Sequence, residues 1–218
     1  MAVLEPVKLT ITNYPEGQSE LLDIENNPMD ENAGTRKVSF SKHLWVEKED
    51  FMEVPANKYK RLYPGNEVRL KGAYLVTCTG CIKDEDGNVT EILCEYDPLS
   101  RGGNPADGRK VKGATIHWTD TETAVDAEVR IYDRLFTDPD PDGPDKDFLD
   151  YINKDSLKIL SSCKVEKCLS EIPMPEKGKD SESFQFMRQG YFCLDNKFST
   201  PGHLIFNRSV ALKDSFKK

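Results

Sequence analysis

An all-β fold is the class this sequence predicts, and three observations predict it. Short runs alternate apolar and polar residues with a period of two, which turns one face of a strand to a core and the other to water. Turn-forming residues separate those runs. Only two stretches have helical spacing, and both are short. Many strands with scarce helices close into barrels or pack as sandwiches.

The elements follow in chain order. Val7-Lys8-Leu9-Thr10-Ile11 is the first alternating run, and Glu25 to Gly34 is loop-like by composition. Glu47 to Glu53, after Leu44-Trp45-Val46, is the first helical candidate. Val68-Arg69-Leu70, Tyr74-Leu75-Val76-Thr77-Cys78 and Val89 to Cys94 alternate as strands. Asp86-Gly87-Asn88 supplies the positive-φ residue that a tight reversal needs, so Ala73 to Glu95 is predicted to form a hairpin. Pro98 to Gly108 is a loop, and Ala127 to Tyr132 is a strand. Thr137 to Asp145 is a Pro/Asp loop leading to the second helical candidate, Lys146 to Ile152, where Phe148, Leu149 and Ile152 share a face. Phe184-Gln185-Phe186 is the last alternating run. No internal repeat is legible.

Hydrophobic residues make up 37% of the 218 and charged residues 31%. That balance excludes a disordered chain and a helical membrane protein, since no apolar run approaches the ~20 residues of a bilayer-spanning helix. Met1 to Pro6 lack the basic and apolar regions of a secretory leader, so a cytoplasmic location is expected. Six cysteines, Cys78, Cys81, Cys94, Cys163, Cys168 and Cys193, then read as buried thiols.

A net charge of -8 argues against polyanion binding by the molecule as a whole. The distribution says more. Lys58, Lys60, Arg61, Arg69 and Lys71 are opposed only by Glu67, and Arg101, Arg109, Lys110 and Lys112 only by Asp107. Asp138, Asp140, Asp142, Asp145, Asp147 and Asp150 form the acidic counterpart. Two basic islands in an acidic chain point to a localised polyanion site.

Metal and nucleophile chemistry fit poorly. Asp138, Asp140, Asp142 and Gly143 imitate the start of a calcium loop, but Leu149 stands at the twelfth position where a bidentate Glu is needed, and Pro139 and Pro141 intervene. Cys78-x-x-Cys81 has no second close Cys/His pair to complete a zinc tetrahedron. His43, His117 and His203 are scattered, and His117 beside Trp118 reads as structural. No metal, cofactor or catalytic residue is predicted in this chain.

Five ordered segments carry a resemblance. They are Asn57-Lys58-Tyr59-Lys60-Arg61-Leu62 with Val68-Arg69-Leu70-Lys71-Gly72-Ala73-Tyr74; Asp107-Gly108-Arg109-Lys110-Val111-Lys112-Gly113 running into Ile116-His117-Trp118; Arg130-Ile131-Tyr132-Asp133-Arg134-Leu135-Phe136; Phe184 to Cys193; and Phe206-Asn207-Arg208. Together they resemble the C-terminal anticodon-binding region of glutaminyl-tRNA synthetases. The resemblance implies two β-barrels of the ribosomal L25 type with an exchanged N-terminal strand. Residues 1–24 would enter the barrels and join the one proximal to the catalytic domain, 25–118 would form mainly the distal barrel, and 119–218 mainly the proximal one.

The implied function is recognition of the tRNA(Gln) anticodon loop. The implied partners are that loop and the N-terminal catalytic domain of the same synthetase, with no DNA and no membrane. The family's His-Ile-Gly-His and Lys-Met-Ser-Lys-Ser type motifs do not occur here, so ATP and Mg belong to the full-length parent and this chain alone is expected not to aminoacylate. By motif position, Arg69 resembles the residue near the first anticodon base, with Lys71 two residues along. Lys60 and Arg61 match contacts around the third base and its phosphate, and Gln185 and Arg188 match the pair facing the middle base. Lys58 stands where the family commonly has Gln, and Lys71 where it often has Arg. Arg109 and Lys110 could hold phosphate or simply end a strand. The alternatives are the equivalent domain of an archaeal-type glutamyl-tRNA synthetase, an L25-like RNA-binding barrel outside any synthetase, and a stand-alone hydrolase.

Overall fold

The computed structural model describes residues 1–176, 179 and 181–212. They form an all-β protein in two compact units, Met1–Val125 with Cys163–Glu171, and Asp126–Ser162 with Ile172–Lys218. No helix among the described residues is long and apolar enough to cross a membrane.

The first unit contains β1 (Ala2–Val3), β2 (Pro6–Ile11), β3 (Ser19–Glu25), β4 (Thr35–Ser41), β5 (His43–Glu47), β6 (Glu67–Leu70), β7 (Leu75–Lys83), β8 (Val89–Tyr96), β9 (Thr115–Ile116) and β10 (Thr119–Asp120). Seven strands make one sheet in the order β10-β5-β2-β8-β7-β6-β9. Its two edge strands, β9 and β10, are separated only by His117 and Trp118. Two residues cannot span an open sheet, so the edges curl toward each other and the sheet nearly closes. The seam is sealed from inside: Trp118 is fully buried, its indole N–H donates to the Lys71 carbonyl at 3.1 Å, and Phe40 packs edge-on to it at 5.2 Å. The alternation that predicted the strands fills this core with Val7, Leu9, Ile11, Val68, Leu70, Val76, Ile92 and Cys94.

The predicted hairpin is β7–β8, reversing through Asp84 to Asn88 with Gly87 at φ +82. Asp84 fixes that turn by accepting from the amides of Asp86 and Asn88. The two helical candidates are single 3-10 turns, Lys48–Asp50 and Phe148–Tyr151. The first is cut short because β5 runs through Glu47 to pair with β2.

β11 (Val125–Tyr132), β12 (Leu157–Val165), β13 (Ser183–Phe186), β14 (Gly190–Leu194) and β15 (Leu204–Ala211) lie mainly in the second unit and, with β1, make a sheet in the order β1-β12-β11-β15-β14-β13. The sheet is a half-barrel. Phe186, Phe192 and Phe206 form its aromatic centre, with the first two stacked at 4.4 Å. The last residues of β12 fall in the first unit, where Lys164 and Val165 pair with β1.

Candidate nucleic-acid interface

The two basic islands of the first unit converge on β6. The Ala114 amide donates to the Lys60 carbonyl at 2.8 Å, and the Arg69 amide to the Ala114 carbonyl at 3.0 Å. Asn66 ties the strand to the preceding loop by donating to the Arg61 carbonyl at 2.6 Å. Ala114 thus lies backbone to backbone with residues 45 and 54 positions earlier in the sequence, Arg69 and Lys60. Along β6 the burial pattern alternates, Val68 and Leu70 inward, Glu67 and Arg69 partly exposed.

Arg69 is held at one end. Its Nε–H donates to the Gly103 carbonyl, one terminal nitrogen lies 3.5 Å from Thr115 Oγ1, and the other makes no hydrogen bond among the described residues. A guanidinium anchored through one donor still presents the rest of its planar fork. Lys71 Nζ lies 3.6 Å from Glu25 Oε2, a loose pair that bound phosphate could displace.

Arg61 is committed elsewhere. It bonds the Glu49 carboxylate at 3.0 Å and reaches Asp50, a fully buried carboxylate, at 3.3 Å. Arg109 is surrounded by acid: it bonds Glu67 and Asp107 and lies 3.8 Å from Asp97. Those carboxylates hold the Arg109 guanidinium above its ordinary range, Glu67 most of all and then Asp107. Lys58, Lys60 and Lys110 are exposed and form no ion pair among the described residues. Lys58 adopts φ +64 at the third position of the Ala56–Tyr59 turn.

In the second unit, Gln185 is exposed on β13 opposite Tyr191, and Arg188 sits in the turn joining β13 to β14 with φ +67. The Gln189 amide closes that turn on the Phe186 carbonyl at 2.9 Å. Both side chains are therefore at one end of a hairpin whose other face is the Phe186 core.

Sequence reading passed over Tyr59 and Tyr63, half-buried rings 6.4 Å apart that flank Lys60 and Arg61. Aromatic faces beside cations suit unpaired bases, which stack as well as pair. Their signal is the four-residue spacing around the basic pair.

The acidic loop holds its own cation: Lys146 Nζ lies 2.9 Å from Asp138 and donates to the Asp140 carbonyl at 3.0 Å. Of the cysteines, Cys78, Cys94 and Cys163 are buried, Cys81 and Cys193 are half-buried, and Cys168 is exposed, a departure from the buried-thiol expectation. His117 is fully buried and 3.2 Å from Glu47, a structural pair.

Two family models, both described as the anticodon-binding domain of class I (E and Q) tRNA synthetases, match residues 1–97 and 115–195. Curated relatives match across the whole chain. A glutamine–tRNA ligase of Clostridium kluyveri is 52% identical over 218 residues, covering 100% of this chain and 38% of the relative. One of Bradyrhizobium diazoefficiens is 51% identical over 100% of this chain and 37% of its own length. One of Pseudomonas putida is 49% identical over 99% of this chain and 37% of its own length. The chain thus spans somewhat over a third of the relatives it matches. Two matched halves, relatives that match from end to end and an all-β fold agree: the chain belongs to the anticodon-binding domain family of the class I tRNA synthetases for glutamate and glutamine.

Proposed function

We propose that the chain is the anticodon-recognition part of a glutaminyl-tRNA synthetase and binds the anticodon loop of tRNA(Gln). The observation that carries this reading is the surroundings of β6, where Lys60, Arg69 and the 101–115 segment adjoin in an otherwise acidic protein. A splayed anticodon needs cations for its phosphates and planar hydrogen-bonding groups for its base edges. Arg69, with its guanidinium half anchored and half open, reads the first anticodon base, and Lys71 neutralises charge beside it. Lys58, Lys60 and Lys110 bind phosphate. Arg61 and Arg109, committed to carboxylates, contribute mainly by framing the site. Gln185, whose amide can both donate and accept, faces the middle base together with Arg188. Bond-making, with its ATP and Mg, is assigned to a catalytic domain in the remaining length of the parent protein, which this domain joins in one chain.

The test is binding of this chain to tRNA(Gln) and to anticodon-substituted versions across a salt series. Arg69→Ala is expected to reduce discrimination between them by ~1–3 kcal/mol, the worth of a bidentate base contact. Equal loss for every tRNA would mean that Arg69 touches only phosphate. Because the matching family includes glutamate enzymes, tRNA(Glu) belongs in the same series; tighter binding of it than of tRNA(Gln) would reverse the assignment.

A further inference from the structure

Loop Pro98 to Gly108 is built as a bracket around Arg69. Asp97 starts it, capping the 3-10 turn Pro98–Ser100 by accepting from the Leu99 amide at 3.0 Å. Ser100 is fully buried, and its hydroxyl links the Asp97 carbonyl at 2.6 Å to the Leu75 amide at 2.9 Å. Arg101 turns outward, yet bonds Glu20 at 3.1 Å and the Leu21 carbonyl at 3.3 Å, tying the loop to β3. Glu20 in turn accepts from Tyr74 at 2.7 Å. The chain then turns back through Gly102 and Gly103, both at φ +87, and the Gly103 amide closes on the Ser100 carbonyl at 2.7 Å.

That arrangement sets Gly103 against Arg69. Gly103 is buried, and its carbonyl accepts from Arg69 Nε. A Cβ built on Gly103 would meet Arg69 Cγ and Cδ at 2.9 Å and Nε at 3.3 Å. The backbone therefore approaches the arginine stem as closely as a residue without a side chain permits, in a conformation glycine adopts without strain. An arginine otherwise has several rotamers to lose on binding, and fixing one beforehand lowers that cost.

We propose that Gly103, carried by the Asp97–Gly103 loop, is a specificity-determining positioning residue that orients the Arg69 guanidinium toward the anticodon. It touches no RNA itself. This inference rests on the base-reading role proposed for Arg69. Gly103→Ala pushes the arginine stem out of its seat, so charge near the RNA is conserved while aim is lost. Affinity for tRNA(Gln) then falls toward that for anticodon-substituted tRNAs, whereas the salt slope, which counts phosphate contacts, stays the same.

The experiment is a double-mutant cycle on this chain with wild type, R69A, G103A and R69A/G103A, read as discrimination between tRNA(Gln) and an anticodon-substituted transcript. The expected result is a loss of about tenfold in G103A, with no further loss when it is added to R69A. A loop defect of general kind would instead lower binding of both tRNAs and add to R69A. Full discrimination in G103A, or additive losses, overturns the inference while leaving the Arg69 reading intact. Full discrimination in R69A removes the Arg69 reading, and the inference with it. Should G103A fail to fold, R101A serves as the second variant, since Arg101 is largely exposed. A smaller loss that vanishes in the R69A background supports the bracket, and an unchanged or additive result overturns it.

Discussion

Glu47→Gln keeps the shape of a buried side chain and removes its charge, at a point where three parts of the first unit meet. One Glu47 oxygen accepts from the Leu4 amide at 2.8 Å and lies 3.2 Å from His117 Nε2, and the other accepts from the Glu5 amide at 3.0 Å. Glu47 is itself 2% exposed. A glutamine retains one acceptor oxygen, so at least one backbone N–H is left facing an amide NH₂. A buried donor without a partner costs ~1–3 kcal/mol, and the surviving bonds lose their charge assistance. The expected destabilisation is ~2–3 kcal/mol, or roughly 4–12 °C in the melting of a domain this size. Burial pushes the Glu47 carboxyl up, but His117 and then the Leu4 and Glu5 amides outweigh it and hold the group below its ordinary 4.5. An acid lowered in this way stabilises the fold above its unfolded-state value and loses that contribution as pH falls through the folded-state one. The variant's deficit is therefore full at pH 7 and shrinks below pH 4.5. Urea unfolding of both proteins at pH 7, 5 and 3.5 measures this. A deficit under ~0.5 kcal/mol at pH 7, the range of ordinary surface changes, or one that grows on acidification, would refute the role given to the carboxylate.

Three further variants separate framing residues from proposed contact residues. Gly113→Ala places a Cβ 1.8 Å from the Glu67 carbonyl oxygen, a backbone atom that cannot give way without opening the β6–β9 ladder. A loss of ~3 kcal/mol or more is expected by thermal melting, and a variant as stable as wild type would show that β9 slides freely. Arg61→Ala strips a guanidinium from buried Asp50 and should cost ~1–3 kcal/mol of stability. Lys60→Ala, by contrast, should leave stability within ~0.5 kcal/mol yet weaken binding of every tRNA and lower the salt slope by about one. If the two variants exchange these effects, the division between frame and contact is wrong.

The parts of the fold legible in the sequence were those governed by local rules. Val7 to Ile11, Tyr74 to Cys78 and Val89 to Cys94 alternate because one sheet face is buried, and the Asp86-Gly87-Asn88 turn is decided within a few residues. The pairing β3–β4 went unread because Glu20 and Arg36 put charges on the faces that carry Leu22, Ile24, Val38 and Phe40, and exposed Leu21 breaks the alternation. Barrel closure was also out of reach: no local signal says that β9 and β10, two residues each, are opposite edges of one sheet. Arg69 and Lys60 could be picked out by charge and motif position, but their adjacency depends on Ala114 bonding both backbones. Gly103 carried no signal at all, being one of two adjacent glycines in a loop whose composition suggested only a turn.

How an acidic chain can offer cations around β6 follows from which charges are already spent. Arg61 and Arg109 lie within 4 Å of five carboxylates between them, Glu49, Asp50, Glu67, Asp97 and Asp107. They add little net potential and much rigidity, since a bidentate or multiply paired guanidinium fixes the segments it joins. The exposed lysines do the opposite. Lys58, Lys60 and Lys110 hold no carboxylate among the described residues, so their field reaches solvent and releases counterions when phosphate replaces water. Arg69 belongs to neither group, being anchored to a carbonyl, which carries no net charge, rather than to an acid. Its full charge survives while its orientation is fixed. Among the described cations around β6, one so held supplies both attraction and geometry, and the proposed base discrimination is expected to concentrate there.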